Sequence, residues 1–144
     1  MNTRAVLAAL LLLPLVPASG AATTDPLRIA VIDTGIDASH PEFAPGQVVA
    51  WRDFTPERSA TPKDGHGHGT ATASLVAGRN VGGCGSDALR PKLSFAPGAQ
   101  LVVARVGNDK GEVVGNIDAA FDWAVAQGAD VISMSIGGIA PLPA

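Results

Sequence analysis

An aspartate that closes one apolar run and a histidine that opens another are the residues of this chain best suited to chemistry. Arg28-Ile29-Ala30-Val31-Ile32 stops at Asp33, and Thr34, Gly35, Ile36 and Asp37 follow. A short apolar run ending at a turn signal reads as a buried strand of a parallel sheet. In open α/β sheets, chemistry collects at the carboxyl ends of such strands. Further on, Asp64-Gly65-His66-Gly67-His68-Gly69-Thr70 leads into an Ala/Ser/Leu/Val-rich segment of helical character. A helix N-terminus disfavours the imidazolium, and a neutral imidazole is what a general base requires. A carboxylate on its far ring nitrogen would stabilise the proton it takes up. An Asp at a strand end and a His at a helix start are two members of a serine-hydrolase triad.

The residues alone leave alternatives open. His66 is a second candidate base. His66 and His68 could be half a metal site; with Asp64 they make a thin ligand set, and His40 is the one further histidine. Asp33-Thr34-Gly35 is also the wording of an aspartic-protease motif, but that chemistry pairs two carboxylates. No second Asp-Thr-Gly or Asp-Ser-Gly is present. Asp33 can also be a turn former that bonds its own loop.

The elements that must position these residues follow from pattern and punctuation. Strands are expected at Leu27–Ile32, Ala99–Val106 and Asp130–Ile136, the last two as buried strands, with a further short strand possible at Val48–Trp51. Gly35–Gly46 is a turn-rich loop, and Asp53–Gly67, with two prolines, reads as surface loop. A helix is expected over His68–Ala77, with an apolar face of Ala71, Leu75 and Gly78 and with Gly78 ending it. A second is expected over Asn116–Gln127. Asn116 is its N-cap, Asp118 suits the first turn, and Ile117, Ala120, Phe121, Ala124 and Val125 form one apolar stripe before Gly128. Strands alternating with helices predict an α/β fold, a parallel sheet with flanking helices and right-handed crossovers.

In wording and order, four segments resemble the subtilisin-like serine proteases, the subtilases. Val31-Ile32-Asp33-Thr34-Gly35-Ile36-Asp37 with His40-Pro41-Glu42 is similar to the segment carrying that family's catalytic Asp. Gly67-His68-Gly69-Thr70-Ala71-Thr72-Ala73 is similar to the one carrying its catalytic His, which favours His68 over His66. Phe95-Ala96-Pro97-Gly98-Ala99 resembles the family's stretch before a core strand. Gly128 through Gly138 resembles its substrate-binding strand. The resemblance implies that Asp33 orients and His68 acts as base. It implies that Ser135, Ile136 and Gly137 pair with an extended polypeptide substrate and border a side-chain pocket, opposed by Gly111-Glu112-Val113. Glu42 stands where calcium-binding members of the family place a ligand carboxylate; no metal is assigned, and calcium stays open on that one residue.

The family's Gly-Thr-Ser-Met-Ala nucleophile motif and its oxyanion asparagine are not found in these 144 residues. The expectation is therefore the N-terminal part of a subtilisin-like peptidase domain over 23–144, subtilisin-like but incomplete. Alone it is expected to be inactive and marginally stable, and its partner is a missing C-terminal half. The alternative is a non-catalytic, truncated protease-like domain that binds peptides or a complementary chain. A small hydrolase using a nucleophile of its own is a third reading.

Residues 1–22 read as a signal peptide, with Arg4, an apolar stretch from Ala5 to Val16, and small residues at Ala18–Ala22. A secreted or periplasmic protein follows, with no membrane contact after cleavage. Ten basic against thirteen acidic residues give a formal charge of −3, and no basic cluster invites nucleic acid. The single cysteine, Cys84, sits in a glycine-rich loop and excludes an internal disulfide framework.

Overall fold

A computed structural model of the chain describes residues 25–81 and 94–137. The expectations for the signal segment, for Cys84 and for Gly138 lie outside the described residues. Four parallel strands, β1 (Arg28–Asp33), β2 (Val48–Asp53), β3 (Gln100–Arg105) and β4 (Val131–Met134), form one sheet in the order β2-β3-β1-β4. Helix α1 (His68–Ala77) joins β2 to β3, and α2 (Ile117–Ala126) joins β3 to β4. The two central strands are apolar and almost wholly buried, as a sheet covered on both faces requires.

The period-two alternation of β1 and β3 sorts their side chains between two layers. Ile29 and Val31 with Leu101 and Val103 pack against Ala73 and Ala77 of α1. Ile32 and Ala104 pack against Ala120, and Ala30 and Val102 against Ala124, both on α2. Both helices meet the sheet through small residues, so their axes can come close.

Several expectations needed correction. The sheet has four strands, because β2 runs on to Asp53 and pairs with β3. Phe54 and Thr55, expected in a surface loop, are buried beside β3. β4 is an edge strand, with Val131 50% and Met134 47% exposed. On α1 the inward residues are Gly69, Ala73 and Ala77, while Leu75 is half exposed. The seat against β1 is too tight for leucine: a Cβ at Gly69 would collide with the Gly35 carbonyl oxygen. On α2 the stripe is turned, with Ala119 and Trp123 flanking Ala120 and Ala124, and with Phe121 and Val125 half exposed.

The crossovers are not both right-handed. From β2 to β3 and from β3 to β4 the chain moves in the same direction across the sheet, yet α1 and α2 cover opposite faces. Parallel strands joined in one direction over opposite faces give crossovers of opposite hand, so one departs from the strong right-handed preference. Helix α1 lies on the face where odd-numbered β1 residues project, and Asp33 is one of them.

Candidate active site

Asp33 is the last residue of β1, with its side chain 2% exposed. Its Oδ1 accepts from its neighbour's amide, Thr34 N, at 2.7 Å, and lies 2.7 Å from His68 Nδ1. A carboxylate only accepts, so Nδ1 is the donor of this bond, and in the neutral ring the other nitrogen is the acceptor. Asp33 Oδ2 is buried and has no partner among the described residues. The His68 side chain is 46% exposed and opens into a cleft of about 220 Å³.

Thr34 and Asp64 hold these two side chains together. The Thr34 hydroxyl accepts from the Gly69 amide at 2.9 Å and donates to Asp64 Oδ1 at 2.9 Å. Asp64 also accepts from Gly67 N, Thr70 N and the Thr70 hydroxyl, satisfying amides at the start of α1 that no helical carbonyl can reach. Burial alone would raise the Asp64 carboxyl. The bonds from Thr70, Gly67 and Thr34 outweigh it and hold the group below its ordinary value. Gly35 turns the chain at φ +127°, where a Cβ would run into the Lys63 carbonyl. Only glycine suits that conformation.

Of the residues singled out for substrate or catalysis, the cleft gathers all but Glu112. Asp33 and His68 form its base, Ser135, Ile136 and Gly137 one rim, and Gly111 the other. Gly111 belongs to a small loop after β3, closed by an antiparallel bridge between Gly107 and Val113. His66 also lines the cleft, its ring 6.1 Å from that of His68. It makes no bond to Asp33, so the geometry distinguishes the two histidines. Among the described residues no three His, Cys, Asp or Glu converge as a metal-holding group. Glu42 Oε2 instead accepts from Asn80 N at 2.7 Å.

Sequence reasoning missed Thr34 and Arg105, and weighed Asp64 as a metal ligand when it instead bonds Thr34, Gly67 and Thr70. Arg105 ends β3 with its side chain 1% exposed and pairs with the buried Asp53 at 2.9 Å. Burial would lower its pKa, but the bonds to Glu57 and Asp53 raise it. Asp53 is held low against its own burial by Thr55, Ser59 and Arg105. A lone cation closing an apolar strand was the available signal, since a buried charge needs a partner.

Comparisons with known proteins show the family. Residues 25–141 match the model of the subtilase family. Thermitase of Thermoactinomyces vulgaris is 37% identical over 111 residues, covering 77% of this chain and 37% of that protein. Subtilisin E of Bacillus subtilis is 34% identical over 115 residues, covering 78% of this chain and 27% of the relative. A calcium-dependent protease of Nostoc sp. is 40% identical over 114 residues, 76% of this chain and 15% of its own length. The chain thus spans little more than a third of these relatives at most. The structure of a cold-adapted subtilisin-like serine proteinase superposes with a TM-score of 0.58 at 30% identity, over 78% of this chain and 37% of that one. The psychrophilic subtilisin-like protease Apa1 of Pseudoalteromonas sp. AS-11 shares the fold, with a TM-score of 0.55 at 24% identity over 79% and 26% of the two chains.

Proposed function

The chain belongs to the subtilase family, and from that premise we propose that it is the Asp- and His-bearing part of a secreted or periplasmic serine endopeptidase. The observation that carries this reading is the 2.7 Å contact between Asp33 Oδ1 and His68 Nδ1 at the base of a cleft. The free ring nitrogen of His68 takes the proton of an attacking serine hydroxyl as its oxygen bonds the scissile carbonyl carbon. Asp33 stabilises the imidazolium that results. The same proton passes to the leaving amine when the C–N bond breaks, and water then hydrolyses the acyl-enzyme by the reverse sequence. Among the described residues no hydroxyl is bonded to that nitrogen, and in this reading the attacking serine is assigned to a further part of the family's fold.

An extended polypeptide would lie between the Ser135–Gly137 rim and the Gly111 rim and bond to their backbones. Strand addition of this kind holds any peptide and leaves side-chain choice to pockets. Export is supported by Arg4, the apolar stretch that follows it and the small residues at 18–22. Calcium is suggested by the calcium-dependent protease of Nostoc sp. and by the position of Glu42. Among the described residues no group of three His, Cys, Asp or Glu gathers around Glu42.

A peptidase assay with casein and a fluorophosphonate label tests the reading. The expressed 144-residue chain alone should show neither turnover nor labelling. Joined to the serine-bearing continuation of thermitase it should do both, and His68→Ala should abolish turnover. Turnover by the short chain alone would place the nucleophile within it. A well-folded joined protein without activity would sink the endopeptidase reading in favour of a peptide-binding one.

A further inference from the structure

Arg105 is the largest fully buried side chain of the described fold, and nothing in the chemistry above uses it. In register it stands between Asp33 on β1 and Asp53 on β2. Register partners in a parallel sheet project to one face, so the three side chains form a row at the carboxyl end of the sheet, on the α1 side. A buried ion pair is often no more stabilising than apolar residues of the same volume. A guanidinium kept here therefore calls for a reason beyond filling space.

The reason lies in where its donors point. Nη1 is matched by Asp53 at 2.9 Å and Glu57 at 2.7 Å, which balance the charge. Nε donates to the carbonyl oxygen of Thr34 at 3.1 Å. Thr34 is the residue whose amide and hydroxyl hold Asp33 and the start of α1. Nη2 donates to Asp109 Oδ1 at 2.7 Å. Asp109 opens the turn that leads to Gly111, and Lys63 reaches its other oxygen at 3.3 Å. Gly65 packs directly on that carboxylate, where an added Cβ would run into Asp109 Cγ. Gly111 in turn lies against the His66 ring, where a Cβ would come within 2.8 Å of Nε2.

We infer that Arg105 is a positioning residue: its planar fork ties the turn bearing Asp33 to the turn bearing Gly111 and so fixes the catalytic and substrate-pairing sides of the cleft relative to each other. A lysine would supply the charge but only a point donor on a flexible stem. The inference rests on the peptidase reading of the cleft, but its first readout needs no activity.

That readout is the downfield proton resonance of His68 Nδ1–H, recorded by NMR on the 144-residue chain. Arg105→Lys should move the resonance upfield and speed its exchange with water several-fold. Leu101→Ala, which hollows the core on the same strand away from the cluster, should lower the melting temperature and leave the resonance in place. If Arg105→Lys leaves the signal unchanged, or Leu101→Ala moves it equally, Arg105 is only a structural ion pair and the inference fails. Should Arg105→Lys not fold, Asp109→Asn at the exposed end of the cluster takes its place. It should weaken binding of an alanine-rich hexapeptide about tenfold, the loss of roughly one hydrogen bond, without shifting the His68 signal. Unchanged peptide affinity would overturn the link to Gly111. In the joined peptidase, Arg105→Lys should lower kcat and Asp109→Asn should raise KM. A joined parent with no activity would defeat the proposed function while the NMR comparison still decided the role of Arg105.

Discussion

Asp33 spends one carboxylate oxygen on two donors, its neighbour's amide and the His68 ring. That sharing fixes the plane of the carboxylate before any substrate arrives. Asp33→Asn keeps the shape but loses the charge that stabilises the imidazolium. In the joined peptidase it should reduce kcat about 10⁴-fold with an unchanged far-ultraviolet circular dichroism spectrum. A loss under tenfold would mean that the aspartate only shapes the turn. The two reacting side chains were legible because each stands beside a local signal, a strand stop or a glycine-flanked helix start. Thr34 was not, since its role is to bond Gly69 and Asp64 across 35 and 30 residues, and no local pattern announces such a partner.

Each element carries its own consequence of the tight helix seats. Gly69→Ala puts a methyl group into the Gly35 carbonyl, so α1 must lift from β1 and carry His68 with it. Soluble yield should fall sharply, and any folded protein should lose the His68 downfield resonance. An intact resonance would show that the seat is looser than drawn. On the other face, Asn116 Oδ1 accepts from Ala119 N at 2.9 Å and caps α2. Asn116→Ala should cost about 1 kcal/mol in urea unfolding. Gln47 is a third case, buried with its amide donating to the Ala77 and Ala99 carbonyls at 2.7 and 3.0 Å. Helix spans and caps could be read from the sequence because they depend on neighbours three or four residues away. The faces could not: the expected Leu75 and Phe121 lost to alanines, because closeness of approach outweighed hydrophobicity.

At the scale of the whole molecule, one buried carboxylate, Asp53, and one partly buried, Asp64, shape the response to acid. Asp64 and Asp53 are both held below their ordinary values, by hydrogen bonds that outweigh burial. A group depressed on folding contributes its stability above the unfolded value, about 3.9 for Asp. It loses that contribution as pH falls through the folded value. Stability owed to these groups should hold from pH 7 to about 5 and decline below about 4. Urea midpoints should show Asp64→Asn weaker at pH 7 and converging on the parent in acid; parallel curves would exclude the linkage. Both edges of the sheet and the outer side of α2 also leave apolar side chains exposed, among them Val131, Met134, Phe121 and Val125. Residues 25–144 alone should therefore bind an apolar dye and melt broadly. A sharp, dye-silent transition would show that these surfaces are not a weakness.

The sequence by itself determined that strands and helices alternate, where the helices begin and end, and that Asp33 and His68 stand at chain positions fit for catalysis. These are local matters, set by hydrophobic period, capping and turn chemistry within a few residues. Only the tertiary structure decided that β2 joins the sheet, that Arg105 bridges the two sides of the cleft, and that one crossover runs against the usual hand. The same topology places α1 on the face to which Asp33 points. Contacts between residues 35 to 72 positions apart depend on packing every layer at once, and no local stretch of the chain encodes them.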